Sequence, residues 1–381
     1  MRHKADGVAP AERVGPIYVE ASSLLHKRLT GIGRLVARLL EAMVRITCVR
    51  LVTTIQADLA RNLKLSTAFL CGQEISLTAA DVPAADDDVA RWVRSLLRRR
   101  WRRHDLRVSS QHPGVYTMLR PPERHFRREL CLLYDFTPLT VPWAHTRDTR
   151  ENFGIFFGES SGLCDKAVAI SQSTKADAHW LSALPPGDVV VGYPGPSLCV
   201  RAHAQPAPVT RRTNVILVVS TLEPRKNGCF LLNWFLNTAV LPPGMELWWV
   251  GPPGWLFGKF YRMRRRAQGR QLKFLGMISD RELCQAYRQA AFTIYPSLYE
   301  GFGFPVLDSL WHGTPVLSSF NSSLQEFADP GVFFFDACDP SSLDAAYRDL
   351  RAAGSIAFDR EALQERYSWD AMAQTVVNLC A

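Results

Sequence analysis

The 381-residue chain has no run of about 18 consecutive apolar residues, the length a helix needs to cross a bilayer. Its best apolar stretches, 215–219 and 247–250, are interrupted within a few residues, so no membrane-spanning segment is expected. A signal-peptide core is also missing. Residues 1–4 are charged, and 5–15 carry Asp6, Glu12 and Arg13 where apolar residues would stand, so export is not expected. The nine cysteines never form a C-x-x-C pair and never stand beside a histidine at metal-ligand spacing, which argues against structural zinc. Their odd count and scatter argue against a disulfide framework and fit small buried hydrophobes in a reduced cytosolic chain. No repeat of solenoid length is visible.

With 47% hydrophobic and 21% charged residues, the chain is not disordered throughout; 45 Lys+Arg against 36 Asp+Glu leave it at +9. The length suits two domains of about 150 to 200 residues, each large enough for its own core. Residues 1–16 are polar and aperiodic and read as a disordered leader. A first domain is expected over 17–198. Pro194, Pro196, Pro206 and Pro208 then mark a loose stretch whose centre, 199–212, reads as the interdomain linker. A second domain follows over 213–367.

In the first domain, 17–19 is strand-like, and Thr30-Gly31-Ile32-Gly33-Arg34 reads as a glycine turn feeding a helix whose Leu35, Val36, Leu39, Leu40 and Met43 fall at helical spacing. Strands are expected at 129–134 and 167–171, and a capped helix at 173–181. In the second domain the alternation is regular, with strands at 215–220, 246–250, 272–274, 291–295, 315–318 and 332–335 and helices at 229–236, 281–290 and 339–350. Such alternation predicts parallel sheets covered by helices on both faces: an α/β protein of two doubly wound, Rossmann-like domains facing a central cleft.

The stretch Tyr295-Pro-Ser-Leu-Tyr-Glu300-Gly301-Phe302-Gly303-Phe304-Pro305-Val-Leu-Asp308 places glycines between a strand and a helix expected to start near Pro305. Glycine lets backbone N–H groups approach an anion, and a helix N-terminus adds positive partial charge. Glu300 before the loop and Asp308 one turn into the helix bracket a phosphate site. Such a site suits a nucleotide sugar, whose diphosphate needs donors and whose hydroxyls need acceptors. Arg225 and Lys226, in Ser220-Thr-Leu-Glu223-Pro-Arg225-Lys226-Asn227, stand at the carboxyl end of a strand, where open α/β sheets bind ligands, and would neutralise a leaving diphosphate.

At these residues the chain resembles the retaining glycosyltransferases of family 4, with the GT-B fold. Glu300 and Asp308 fill the two acidic positions of that family's Glu-x7-Glu motif, and Thr221 to Asn227 match its G-x-L-x-x-R-K-N segment. The Thr30 to Arg34 segment resembles its acceptor-domain glycine loop. Tyr367-Ser-Trp369 resembles the entry to a last helix, 368–381, that returns to the first domain.

The resemblance implies a retaining, metal-independent hexosyltransferase without a cofactor, GDP-mannose being favoured over UDP-sugars as donor substrate. It implies that Glu300 meets donor-sugar hydroxyls, Asp308 the ribose, Arg225 and Lys226 the diphosphate, and the backbone of Gly301, Phe302, Gly303 and Phe304 the sugar and phosphates. Gly276 and Met277 would lie near the base, and Gly31 and Gly33 in the acceptor domain. Asp308 is one methylene shorter than the usual Glu. Tyr134 stands where many members have His, leaving Asp135 as the acceptor-side candidate. His104, His145 and His312 lack visible partners and are expected at the surface or in satisfied contacts.

From Arg91 to Arg107 the chain carries eight arginines and one acid, with Trp92, Val93, Leu96, Leu97 and Trp101 on one helical face. This basic amphipathic helix is expected to pack on the domain or to dock on an anionic membrane, where a lipid-linked glycan acceptor would sit. No nucleic-acid module accompanies it. The expectation is thus a cytoplasmic enzyme, peripheral on the inner face of the cytoplasmic membrane. Its rivals are a GT-B phosphorylase or epimerase and a non-catalytic nucleotide-sugar-binding subunit of a glycan-assembly complex.

Overall fold

Short strands, most of them buried, alternate with helices along the chain, and the computed structural model gathers them into a seven-stranded and a six-stranded sheet. It describes residues 15–25, 31–54, 70–77, 111–118, 120, 124–151, 153, 162–197, 214–255, 258–266 and 271–381. The linker 199–212, residues 1–14 of the leader, Thr30, His104 and the basic stretch from Arg91 to Arg107 lie outside the described residues.

The first sheet takes β1 (Ile17–Glu20), β2 (Val49–Thr54), β3 (Leu70–Leu77), β4 (Gly114–Tyr116), β5 (Glu129–Leu133), β6 (Lys166–Ala169) and β7 (Val189–Val191) in the order β3-β2-β1-β4-β5-β6-β7. Only the edge pair β2–β3 is antiparallel. The second sheet is wholly parallel, β10-β9-β8-β11-β12-β13. Its strands are β8 (Val215–Val219), β9 (Glu246–Val250), β10 (Gln271–Gly276), β11 (Phe292–Tyr295), β12 (Val316–Ser319) and β13 (Val332–Phe335). In each sheet the order reverses beside the first strand, at β1/β4 and at β8/β11. A crevice opens at such a switch point because the connections leaving the two strands diverge to opposite faces.

The last helix, Trp369–Cys380, starts at Ser368, whose hydroxyl accepts from Ala371 N at 3.3 Å. Its Met372, Ala373, Val376, Val377 and Cys380 share one core with Leu35, Val36, Leu39, Leu40 and Met43 of the Gly31–Met43 helix, so the chain end packs on the first sheet's layer. Burying each large apolar side chain is worth about 1.5–3 kcal/mol. Trp369 Nε1 donates to Pro196 O at 2.9 Å, and a β-carbon on Gly195 would fall 2.5 Å from the Trp369 ring, which holds the crossing point of the chain close.

Candidate functional site

At the switch point of the second sheet, β8 leads to a 3-10 turn, Pro224–Lys226, and β11 leads to the loop carrying Glu300. The turn ends at Asn227 in the left-handed region (φ 54°), which reverses the chain into the Gly228–Asn237 helix and leaves both basic side chains facing the β11 loop. The Glu300 carboxylate accepts from Arg225 Nη1 at 2.6 Å, from Lys226 Nζ at 2.5 Å and from Tyr295 OH at 3.0 Å. Arg225 also donates to Glu223 at 2.9 Å and to Tyr299 O at 2.8 Å.

The cluster is buried, with Glu300 only 6% exposed. Burial opposes ionisation of Glu300, but Arg225 and Lys226 outweigh it and hold the carboxyl down at about 2. Burial and Arg225 work against the Lys226 cation, yet Glu300 keeps its pKa raised. The Tyr295 phenol, buried and beside Glu300, is pushed up to about 12. All four therefore keep their ordinary protonation near neutral pH, with two fixed positive charges at the crevice.

The Phe304–Trp311 helix begins at Gly303, whose φ of 120° is open to glycine and strained for other residues, with Pro305 in the first turn. Val306 N and Leu307 N turn back to Gly303 O at 2.9 and 3.3 Å, and the positive end of the helix lies at the loop. Gly301 answers a different need: a β-carbon there would stand 1.8 Å from Tyr134 O, so this glycine lets the two domains touch. Thr174 Oγ1 lies 3.1 Å from both Tyr134 O and Gly301 O and ties the same contact. The Phe302 and Phe304 side chains are structural. Phe302 packs on Phe327 and Tyr367, and Phe304 stacks on Trp369 at 6.3 Å.

Between the domains lies a cleft of about 660 Å³, which brings Arg225, Lys226, Glu300, Gly301, Gly303 and Asp308 together with Met277, Gly31 and Asp135. Gly33 and Gly276 do not line it; Gly276 ends β10 at φ 64°, where its carbonyl accepts from Gly251 N at 2.9 Å. Gly31 and Gly33 form the first turn of the Gly31–Met43 helix, not a loop before it, because neither needs positive φ and Gly33 is buried on the helix's core face. Asp135 accepts from Thr137 N (3.0 Å) and Thr137 Oγ1 (2.7 Å), a turn closure that fixes its carboxylate at the cleft wall. Asp308 is 3% exposed and accepts from Ser197 N at 2.8 Å and from the Ser197 hydroxyl, so it holds the end of the first domain's chain.

Sequence reasoning missed several groups. His145 is buried rather than at the surface, and neither ring nitrogen has a hydrogen-bond partner among the described residues. Its ring faces Trp255 at 6.0 Å, and Trp255 Nε1 donates to Ala144 O at 2.7 Å, across the domain junction. Burial first, then Arg225, lowers the His145 pKa against the pull of Asp135. Nothing in its neighbours, Ala144 and Thr146, signals this. Arg34 reaches across the cleft mouth to Asp280 at 2.7 Å, and Ser197 and Tyr287 line the floor. His312 is satisfied, with Nδ1 2.6 Å from Asp308 O. Among the described residues no cluster of three or more His, Cys, Asp or Glu side chains is placed to hold a metal ion.

The family model described as Glycosyl transferases group 1 matches residues 213–352. The O-antigen chain mannosyltransferase B of Escherichia coli is 25% identical over 307 residues, covering 74% of this chain and 76% of the relative. The serotype-specific mannosyltransferase WbdA of Escherichia coli is 24% identical over 240 residues, 58% of this chain and 29% of the relative's length. HepE of Anabaena, solved with UDP and glucose, superposes with a TM-score of 0.59 at 14% identity, covering 96% of this chain and 99% of that one. Sucrose-phosphate synthase from Thermosynechococcus elongatus gives 0.60 at 16% identity, covering 96% and 98%. The structural likenesses establish the GT-B fold.

Proposed function

We propose, from the premise that this chain is a family 4-like glycosyltransferase whose residues 213–352 match the group 1 family, that it moves a hexose from a nucleotide sugar to a hydroxyl of a growing glycan. The observation that carries the reading is the buried Glu300, Arg225 and Lys226 cluster beside a helix N-terminus, at the switch point of a cleft wide enough for a nucleotide sugar. In this reading residues 213–367 bind the donor, and residues 17–198 with the returning helix 368–381 bind the acceptor.

Arg225, Lys226 and the N–H groups of Gly301 to Phe304 hold the diphosphate, Glu300 orients the sugar, Asp308 takes the ribose, Met277 flanks the base, and Gly31 and Asp135 face the acceptor. The acceptor oxygen attacks the anomeric carbon on the face the diphosphate leaves. The carbon–oxygen bond to the diphosphate breaks as the bond to the acceptor forms, and the hydroxyl proton passes to a donor phosphate oxygen, giving retention. Fixed cations and the helix dipole stabilise the departing charge, and the scheme needs no metal ion.

The names of the relatives support mannose as the sugar moved and an O-antigen-type glycan as acceptor; we take the donor to be GDP-mannose and the acceptor to be lipid-linked. UDP-sugars are the rival donors, since HepE was solved with UDP and glucose. Docking of the stretch from Arg91 to Arg107 on anionic lipid would bring the enzyme to such an acceptor, at about 1 kcal/mol per cation near the surface.

A thermal-shift screen of nucleotide sugars, followed by transfer to a lipid-linked acceptor with the product anomer read by NMR, tests the reading. GDP-mannose should give the largest shift and a retained linkage. Binding without transfer would favour the non-catalytic subunit, and a soluble sugar product without acceptor would favour a phosphorylase or epimerase.

A further inference from the structure

One residue lining the cleft, Tyr287, carries a buried polar atom that has no hydrogen-bond partner among the described residues. Tyr287, on the Asp280–Gln289 helix, is 1% exposed, and its ring is clamped against His312 at 5.4 Å with the planes 12° apart. Its own carbonyl accepts from Thr314 Oγ1 at 2.7 Å, which fixes the backbone beneath the ring. The residue lines the cleft, yet its phenolic oxygen is buried without a hydrogen-bond partner among the described residues. A buried hydroxyl in that state carries its full desolvation cost, so a ligand that supplies a partner recovers it.

The surroundings indicate which ligand group meets it. Leu283, one turn earlier on the same helix, lines the cleft with Ile278 and Met277 and makes an apolar wall suited to a flat base. Asp308 lies close by on the floor: after burial, its charge is the next cause holding the Tyr287 phenol well above its usual range. Two of the acceptor sites on the Asp308 carboxylate already serve Ser197, and its side chain is one methylene shorter than a glutamate. Arg225 and Lys226 line the same cleft from the β8 turn, where they supply a phosphate end apart from the apolar wall.

We propose that the Tyr287 hydroxyl is a second reader of the donor's ribose, hydrogen-bonding one of its two vicinal hydroxyls while Asp308 takes the other. This completes a site that the short Asp308 side chain leaves open. It makes Tyr287 a specificity-determining residue for ribonucleoside over deoxyribonucleoside diphosphates. The proposal rests on the nucleotide-sugar reading above.

The test is calorimetric titration of wild type and Tyr287→Phe with GDP and UDP and with the 2′-deoxy and 3′-deoxy forms of each. Loss of one neutral hydrogen bond should weaken the ribonucleotide by about three- to tenfold in Tyr287→Phe. One of the two deoxy forms should bind both proteins equally. The nucleotide-free Tm should stay level or rise, because the variant removes an unsatisfied group; a merely structural hydroxyl would lower it. Equal ribonucleotide affinity in both proteins, or an equal loss for the ribo and both deoxy forms, would overturn the assignment. Wild type that binds neither GDP nor UDP would instead sink the nucleotide-sugar reading itself, and Tyr287's role with it.

Discussion

Glu300 serves two purposes that the motif alone does not separate. In the function proposed above it orients the donor sugar; as a buried acid it balances Arg225 and Lys226. Removing one partner of a buried ion pair costs about 3–5 kcal/mol because the remaining charge is stranded. Glu300→Ala is therefore expected to lower the unfolding free energy by that much, read from denaturant titration, as well as to abolish transfer. The pH dependence has a definite sign. The carboxyl sits at about 2 in the folded chain against 4.5 as its unperturbed value, so its stabilisation is complete above about 4.5 and is lost as the pH falls towards 2. Urea unfolding of wild type should show that loss, on the order of 3 kcal/mol, and Glu300→Gln should show a shallower slope across the same window.

Among the elements, the Gln172–Leu181 helix is capped from the other domain. Glu326 accepts from Gln172 N at 3.0 Å and Ser173 N at 2.8 Å, and from Tyr193 OH at 2.6 Å. Ser171 caps the same helix from within, so the Glu326 contacts fix where the domains meet more than whether the helix forms. Glu326→Ala is expected to lower stability by about 1–2 kcal/mol and to widen the cleft. Small-angle scattering should then give a larger radius of gyration without nucleotide, while far-UV circular dichroism is unchanged. An unaltered scattering curve would mean that the other contacts across the junction, among them Gly301 against Tyr134 and Tyr299 against Asp177, hold it without Glu326.

At the scale of the molecule, the returning helix makes the first domain's core depend on the far end of the chain. Deleting residues 368–381 removes the buried Met372, Ala373, Val376, Val377 and Cys380 from against the Gly31–Met43 helix. At about 1.5–3 kcal/mol for each large side chain, the loss should exceed 5 kcal/mol. The truncated chain should bind a hydrophobic dye and lose its cooperative melt; a Tm like that of the full chain would show that the helix is dispensable. The Arg34–Asp280 pair is partly exposed, worth at most about 1 kcal/mol, and so adds little to stability.

The sequence by itself determined the two doubly wound sheets, because the regular alternation in the second half and the strand-to-glycine-to-helix grammar around Glu300 are local signals. β2, the antiparallel β3 and the three-residue strands β4 and β7 were not read from the sequence, since strands as short as β4 and β7 show no period and pairing is settled by neighbours distant in the chain. Pattern reading also identified Glu300, Asp308, Arg225 and Lys226 as types in the right order. Only the tertiary structure decided that Glu300 is buried between its two cations, that Gly301 serves the contact with Tyr134, and that Asp308 holds Ser197. The burial of His145 and the unsatisfied hydroxyl of Tyr287 were equally invisible, because a partner's absence is a property of packed surroundings and leaves no trace in the residue's own neighbours along the chain.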